Sequence, residues 1–237
     1  MKFLTAFLPA VALGIALAGC ATTDTPNVSD GPAAEAPSFR VGDKWVYRAT
    51  DGFRVAQTWT ETHEVVSIAP NAITLRVTEE GPSARGPRTE VWASPGQMIS
   101  GAVFDNETRK FTPPITIYDF PIVPGHRWGG WSKNFNETAQ REGQISRNVT
   151  VGSWSKVDTP AGSFDAISMR VLMVLDDREF WRGPTNANYV IQYAPAVGAM
   201  VRAEKNAFYI SSSGALGGAV TSQRAVLELV SYTRGAP

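Results

Sequence analysis

The side chains with the widest chemical reach in this chain are one thiol, two imidazoles and scattered carboxylates. Cys20 is the only cysteine, and His63 and His126 are the only histidines. A lone thiol forms no disulfide within the chain. Two imidazoles far apart in sequence do not make the clustered ligand set of a zinc or redox-metal centre. Asp176-Asp177 with Glu179 offers oxygens suited to calcium, but the spacing lacks the central glycine of a calcium loop and reads as a solvated hairpin end. Gly152-Ser153-Trp154-Ser155 only grazes the G-x-S-x-G pattern, in strand-like sequence, so no serine nucleophile on a strained turn is expected. His63, in Thr60-Glu61-Thr62-His63-Glu64, has carboxylates beside it that would suit a general base. The alternation there reads more simply as an exposed strand face. His126 follows Pro124-Gly125 and reads as a turn residue beside Trp128. No glycine loop precedes a helix, so neither a phosphate cradle nor a cofactor is expected.

Aromatics are the other candidates. The chain holds seven tryptophans, which either line a cavity for a hydrophobic or carbohydrate ligand or fill the inside of a curved sheet. The residues singled out as ligand-lining are Trp45, Tyr47, Trp128 and Tyr193.

The elements that position these residues are strands. Trp45, Tyr47 and Ala49 alternate with Lys44, Val46 and Arg48; Ile73, Leu75 and Val77 alternate with Thr74, Arg76 and Thr78. Ile167, Met169, Val171 and Met173 alternate with Ser168, Arg170 and Leu172. Period two with one apolar face is the mark of a half-buried strand. Turn residues fall between these runs, at Pro70-Asn71, Ser94-Pro95-Gly96, Pro124-Gly125 and Pro160-Ala161-Gly162. Asp51-Gly52 suggests a tight hairpin of the primed-turn kind, and Gly214 to Gly218 a flexible loop between the last two strands. No long amphipathic helix fits among so many Gly and Pro. The expected fold is all-β, an antiparallel meander of roughly ten strands curled into a barrel, a half-barrel or a two-layer sheet.

At the N-terminus, Lys2 precedes an apolar run from Phe3 to Ala16, and Leu17-Ala18-Gly19-Cys20 closes it. A positive start, an apolar stretch and small residues before the cut describe a secretory signal, too short for a membrane span. Residues 21–37 hold no aromatic and no basic residue, a composition that cannot bury enough surface to order itself and reads as a tether. The expected organisation is a signal peptide at 1–19, Cys20 with a disordered tether at 20–38, and one β domain at 39–237. Lys plus Arg and Asp plus Glu balance at 22 each. That leaves no basic footprint for nucleic acid. An integral outer-membrane barrel is disfavoured because Glu61, Glu79, Arg88, Lys156, Arg170 and Glu228 interrupt the strand-like stretches.

The run Leu17-Ala18-Gly19-Cys20 resembles the lipobox of bacterial lipoproteins. That resemblance implies a diacylglycerol on the Cys20 thiol, cleavage before it and acylation, palmitate included, of the new amine. Ala21 stands where the family places aspartate for inner-membrane retention, which implies the periplasmic face of the outer membrane. Further along, Gly42-Asp43-Lys44-Trp45-Val46-Tyr47, Phe120 to Trp128, Thr159 to Phe164, Tyr193 to Val201 and Glu228 to Tyr232 resemble uncharacterised bacterial envelope lipoproteins. These have a curved antiparallel β domain and are similar to lipoprotein carriers. The group carries no catalytic signature. The expectation is therefore a non-enzymatic envelope lipoprotein, held to the membrane by its lipid, that binds a hydrophobic ligand, a glycan or an envelope protein. The alternatives are an envelope hydrolase with a carboxylate/His site, and a scaffold subunit of an envelope assembly.

Overall fold

A computed structural model describes residues 31–52, 57–103, 107–212 and 218–236. The leader, Cys20 and most of the Gly214 to Gly218 loop lie outside the described residues. Twelve strands follow one another: β1 (Lys44–Asp51), β2 (Gln57–Ala69), β3 (Ala72–Glu80), β4 (Arg88–Ser94), β5 (Gln97–Gly101) and β6 (Arg109–Thr116), then β7 (Arg127–Asn136), β8 (Arg141–Thr159), β9 (Gly162–Asp176), β10 (Thr185–Ala194), β11 (Ala199–Ser211) and β12 (Ala219–Thr233). Each pairs antiparallel with the next and β12 closes on β1, so the meander is a closed barrel. Closure leaves no sheet edge to protect.

The count exceeds the expected ten because β4 to β6 are short and carry little alternation. β5 spans only Gln97–Gly101, and register shifts interrupt its pairing with both neighbours. The period-two runs behave as read. Trp45, Tyr47 and Ala49, then Ile73, Leu75 and Val77, then Ile167, Met169, Val171 and Met173 are all buried. The tight hairpin expected at Asp51-Gly52 is corrected. Asp51 is still in the ladder opposite Gln57, so the connection runs over residues 52–56.

One end of the barrel is closed by short turns at 70–71, 95–96, 160–161 and 195–198, and both described chain termini meet there. Asn71 supplies the left-handed conformation (φ 59°) that the β2–β3 turn needs. Asp43, fully buried, joins the termini by accepting from the backbone N–H of Arg40 and of Gly235, each at 2.8 Å. The stretch read as a tether is docked in its described part. Ala34 is 1 % exposed and exchanges two backbone hydrogen bonds with Ile122, and Trp154 Nε1 donates to Pro32 O at 3.0 Å. A single bridge around one alanine needs no apolar periodicity, which is why composition hid it.

The β6–β7 ladder is one of the short ones in the wall. It holds only from Arg109↔Asn136 to Thr112↔Lys133. Pro113 and Pro114 follow, and a proline has no N–H to give a ladder. Beyond them the two strands part into a seam.

Candidate binding cavity in the barrel interior

The core is two apolar clusters, one around Trp45, Val65 and Leu229 and one around Ile122, Met169 and Tyr193. A cavity of about 150 Å³ lies between them, lined from both sides. Aromatic side chains dominate its wall: Phe39, Trp45, Tyr47, Trp92, Tyr118 and Tyr193. That volume matches an engineered apolar cavity of about 150 Å³ that admits benzene. A compact ring or a short chain fits; a whole diacyl lipid or an oligosaccharide does not.

Several rings are fixed by their polar handles. Trp45 Nε1 donates to Val197 O at 2.8 Å, Tyr47 Oη to Met200 O at 3.0 Å, and Tyr189 Oη to Val103 O at 3.0 Å. Tyr118, Phe120 and Tyr193 pack as three mutually touching rings, the Tyr118 centroid 5.3 Å from that of Tyr193. Burial pushes the Tyr118 hydroxyl up to about 12, and moves those of Tyr47 and Tyr193 upward as well. All three stay protonated at neutral pH.

Ionic groups occupy part of the same cavity. Glu61 Oε1 lies 2.6 Å from His63 Nε2 and 2.7 Å from Arg88 Nη2. Arg88 Nη1 reaches Glu79 Oε1 at 3.1 Å, and its Nε lies 3.5 Å from Glu90 Oε1. Burial alone would raise the Glu61 carboxyl, but the hydrogen bond and charge of His63, then Arg88 and Lys205, hold it well below its ordinary value. It is an ionised carboxylate inside the barrel. Across the cavity, Arg147 is 6 % exposed, and its Nη1 donates to Thr116 O at 2.7 Å. Arg147 also borders a cleft of about 210 Å³ in the β6–β7 seam, shared with Pro113, Pro114 and Trp128.

The sequence candidates separate. Trp45, Tyr47 and Tyr193 line the cavity, whereas Trp128 lies at the seam, where it donates to Thr116 O at 3.3 Å and stacks on His126 at 5.7 Å. His126 is an exposed turn residue paired with Asp119 at 2.9 Å. Cys20 lies outside the described residues. Two readings need correction. Glu61 and His63 face inward, not outward, because the inward parity of β2 runs Trp59, Glu61, His63, Val65. Asp177 is not solvated: it is 4 % exposed and grips Arg109 at 3.0 and 2.7 Å. Among the described residues no group of three or more His, Cys, Asp or Glu could hold a metal ion.

Arg147, Arg88, Glu90 and Tyr118 were not among the sequence candidates. The signal for Arg147 was present in the chain. Ile145, Arg147, Val149 and Val151 share one parity of β8, so an inward arginine was written into the alternation.

No protein-family model and no curated protein matches this chain. Solved structures do. One, from Bacteroides fragilis, is described as an exported protein with a YmcC-like fold; it is 15 % identical, with a TM-score of 0.55, covering 86 % of this chain and 100 % of that one. Another, from Parabacteroides distasonis, is described as a lipoprotein; it is 12 % identical, with a TM-score of 0.50 and the same coverage. The chain has the all-β fold of these exported proteins and lipoproteins, and at such identities the fold is what the likeness shows.

Proposed function

We propose that this protein is a non-enzymatic lipoprotein of the bacterial cell envelope, anchored through acylated Cys20 at the periplasmic face of the outer membrane. Its barrel binds a small hydrophobic ligand. The observation that carries the reading is the aromatic-walled cavity of about 150 Å³ between the two core clusters. Concave apolar sites with a few fixed polar groups are the usual form of a small-molecule site. The lipobox-like leader supports the anchor. The outer wall supports a domain held clear of lipid. Arg48 and Arg202 pair across Glu228, and Lys44 and Arg76 across Glu64, on outward positions. Charges on the lipid face of a membrane barrel cost about 2–4 kcal/mol each near the midplane.

The test is a thermal shift. Saturating 4-phenylbutanol, an uncharged ring on a short chain, raises the melting temperature of the wild-type protein, because a ligand bound only to the native state stabilises it. Ala203→Phe, which fills the cavity from β11, removes that rise. A melting temperature indifferent to the alcohol contradicts ligand binding. For the anchor, Cys20→Ala leaves an unprocessed precursor that takes up no labelled palmitate. Normal cleavage and labelling of that variant would overturn it.

A second reading, an envelope hydrolase, is favoured by one observation: His63 faces the cavity 2.6 Å from Glu61. Binding fits better. Glu61 is shared with Arg88, and among the described lining residues the only hydroxyls are tyrosines. Ester turnover that is lost in His63→Ala would reverse the preference.

A further inference from the structure

Among the described residues, the buried arginines sit against carboxylates, with one exception. Arg88 reaches Glu61 and Glu79, and Arg109 is held by Asp177 and Glu107. Arg147 lies in the cavity wall with no ion pair among the described residues. Its hydrogen bond to Thr116 O uses Nη1, and Nε is buried with no partner. Nε therefore lacks a hydrogen bond, and Nη2 has none among the described residues either. The two acids that line the same cavity, Glu61 and Glu90, are engaged elsewhere. Glu90 lies 3.5 Å from Arg88 Nε, and its Oε2 accepts from Trp92 Nε1 at 3.4 Å. A buried charge without its counterpart destabilises a fold, and each such group calls for an explanation. Burial draws the Arg147 guanidinium below its ordinary value, yet a guanidinium keeps its proton in proteins.

A second, independent observation lies in the same wall. Tyr193 Oη is buried without a hydrogen-bond partner. Its neighbour Tyr118 is close enough to Arg147 to act on its charge. Among its apolar rings the cavity wall thus holds a cation without an ion pair and a hydroxyl without a hydrogen bond among the described residues.

We infer that the ligand is an organic monocarboxylate with a compact apolar body. Its carboxylate sits against the Nε–Nη2 edge of Arg147, its ring or short chain fills the aromatic cavity, and Tyr193 Oη is a further donor to it. This rests on the cavity-binding reading above and names the ligand's chemistry. The planar side-on edge of a guanidinium matches the two oxygens of a carboxylate in a bidentate pair. A dianion fits less well: the lining sets Arg88, Arg147 and Lys205 against Glu61 and Glu90, an excess of one positive charge that a single carboxylate balances. Arg147 borders both the interior cavity and the seam cleft. A ligand admitted where Pro113 and Pro114 interrupt the ladder meets the guanidinium first.

The test is calorimetric titration of the full lipidated chain in phosphatidylcholine vesicles, with empty vesicles as the blank. The probes are 4-phenylbutyrate and 4-phenylbutanol. We expect the acid to bind at least about tenfold more tightly than the alcohol, the scale of one charge-assisted contact. Arg147→Met should erase that preference while keeping alcohol binding, and Tyr193→Phe should weaken the acid several-fold. Equal affinities in the wild type overturn the carboxylate assignment and leave the cavity reading standing. Binding of neither probe overturns both. If circular dichroism shows Arg147→Met to be unfolded, the wild-type ratio and Tyr193→Phe still decide.

Discussion

Arg109 and Arg147 are both buried cations on the inner wall of one barrel, and they are treated in opposite ways. Arg109 is fully buried and saturated. Asp177 grips its Nε and Nη2 at 3.0 and 2.7 Å, and Glu107 supplies a carboxylate at 2.8 Å and a carbonyl at 3.0 Å. Arg147, 6 % exposed, has one carbonyl. The first arrangement fastens the β5–β6 and β9–β10 connections together. The second leaves a charge for something else to meet, in the wall where the rings leave space. Within one fold, hydrogen-bond saturation separates an arginine that holds the structure from one that awaits a ligand.

The largest effect that would break this contrast comes from Asp177→Ala. The change strips a buried carboxylate from Arg109, which keeps Glu107, and from Arg182 at 3.1 Å, and loss of one partner of a buried pair costs about 3–5 kcal/mol. Denaturant unfolding measures it, and a loss below about 1 kcal/mol would mean that the saturated site is not structural. Arg147→Met comes next and has the opposite sign. Replacing an unpaired buried cation by an apolar side chain of similar length should be neutral or stabilising, by up to about 4 kcal/mol. A destabilisation as large as that of Asp177→Ala would erase the distinction between the two arginines.

A smaller effect, confined to acid pH, sharpens the interior charge map. The Glu61 carboxyl is held below the 4.5 of an unfolded chain, chiefly against burial by His63 and then Arg88. A depressed folded value means that its contribution to stability is present above about pH 4.5 and is lost as pH falls through the folded value. Glu61→Gln should therefore be less stable than wild type at pH 7 and should lose less on acidification below pH 4.5. Parallel pH profiles would show that the Glu61 charge is not coupled to folding. The smallest effect belongs to the outer wall. Lys156 and Asp165 pair at 3.1 Å with both side chains largely exposed, and Lys156→Ala should change stability by less than about 0.5 kcal/mol. A larger loss would blur the line between the satisfied interior and an incidental surface pair.

Much of this was legible in the chain, and the gaps have physical reasons. The all-β meander follows from runs such as Ile167 to Met173, where burial and alternation coincide. The short strands β4 to β6 were hidden because bulges and prolines interrupt their period. Trp45, Tyr47 and Tyr193 are large rings in strand positions, and they stand on the cavity wall. Glu61, Arg88 and Arg147 were harder. Charge on a strand suggests the wet face, but in a barrel with a polar patch inside it marks the inward parity equally well. Arg147 could have been found by noticing that it shares parity with Ile145, Val149 and Val151. Its lack of a carboxylate partner could not, since the residues that line the cavity with it come from β1 to β5 and β10 to β12, brought round by closure of the barrel.

Native mass spectrometry of the lipidated protein extracted from its own membrane, wild type beside Arg147→Met, tests most directly whether the open guanidinium holds a ligand. We expect the wild type to carry a small organic acid that appears in negative-ion mode after denaturation and is missing from the variant. Two proteins of identical ligand-free mass, or one acid carried equally by both, would contradict it.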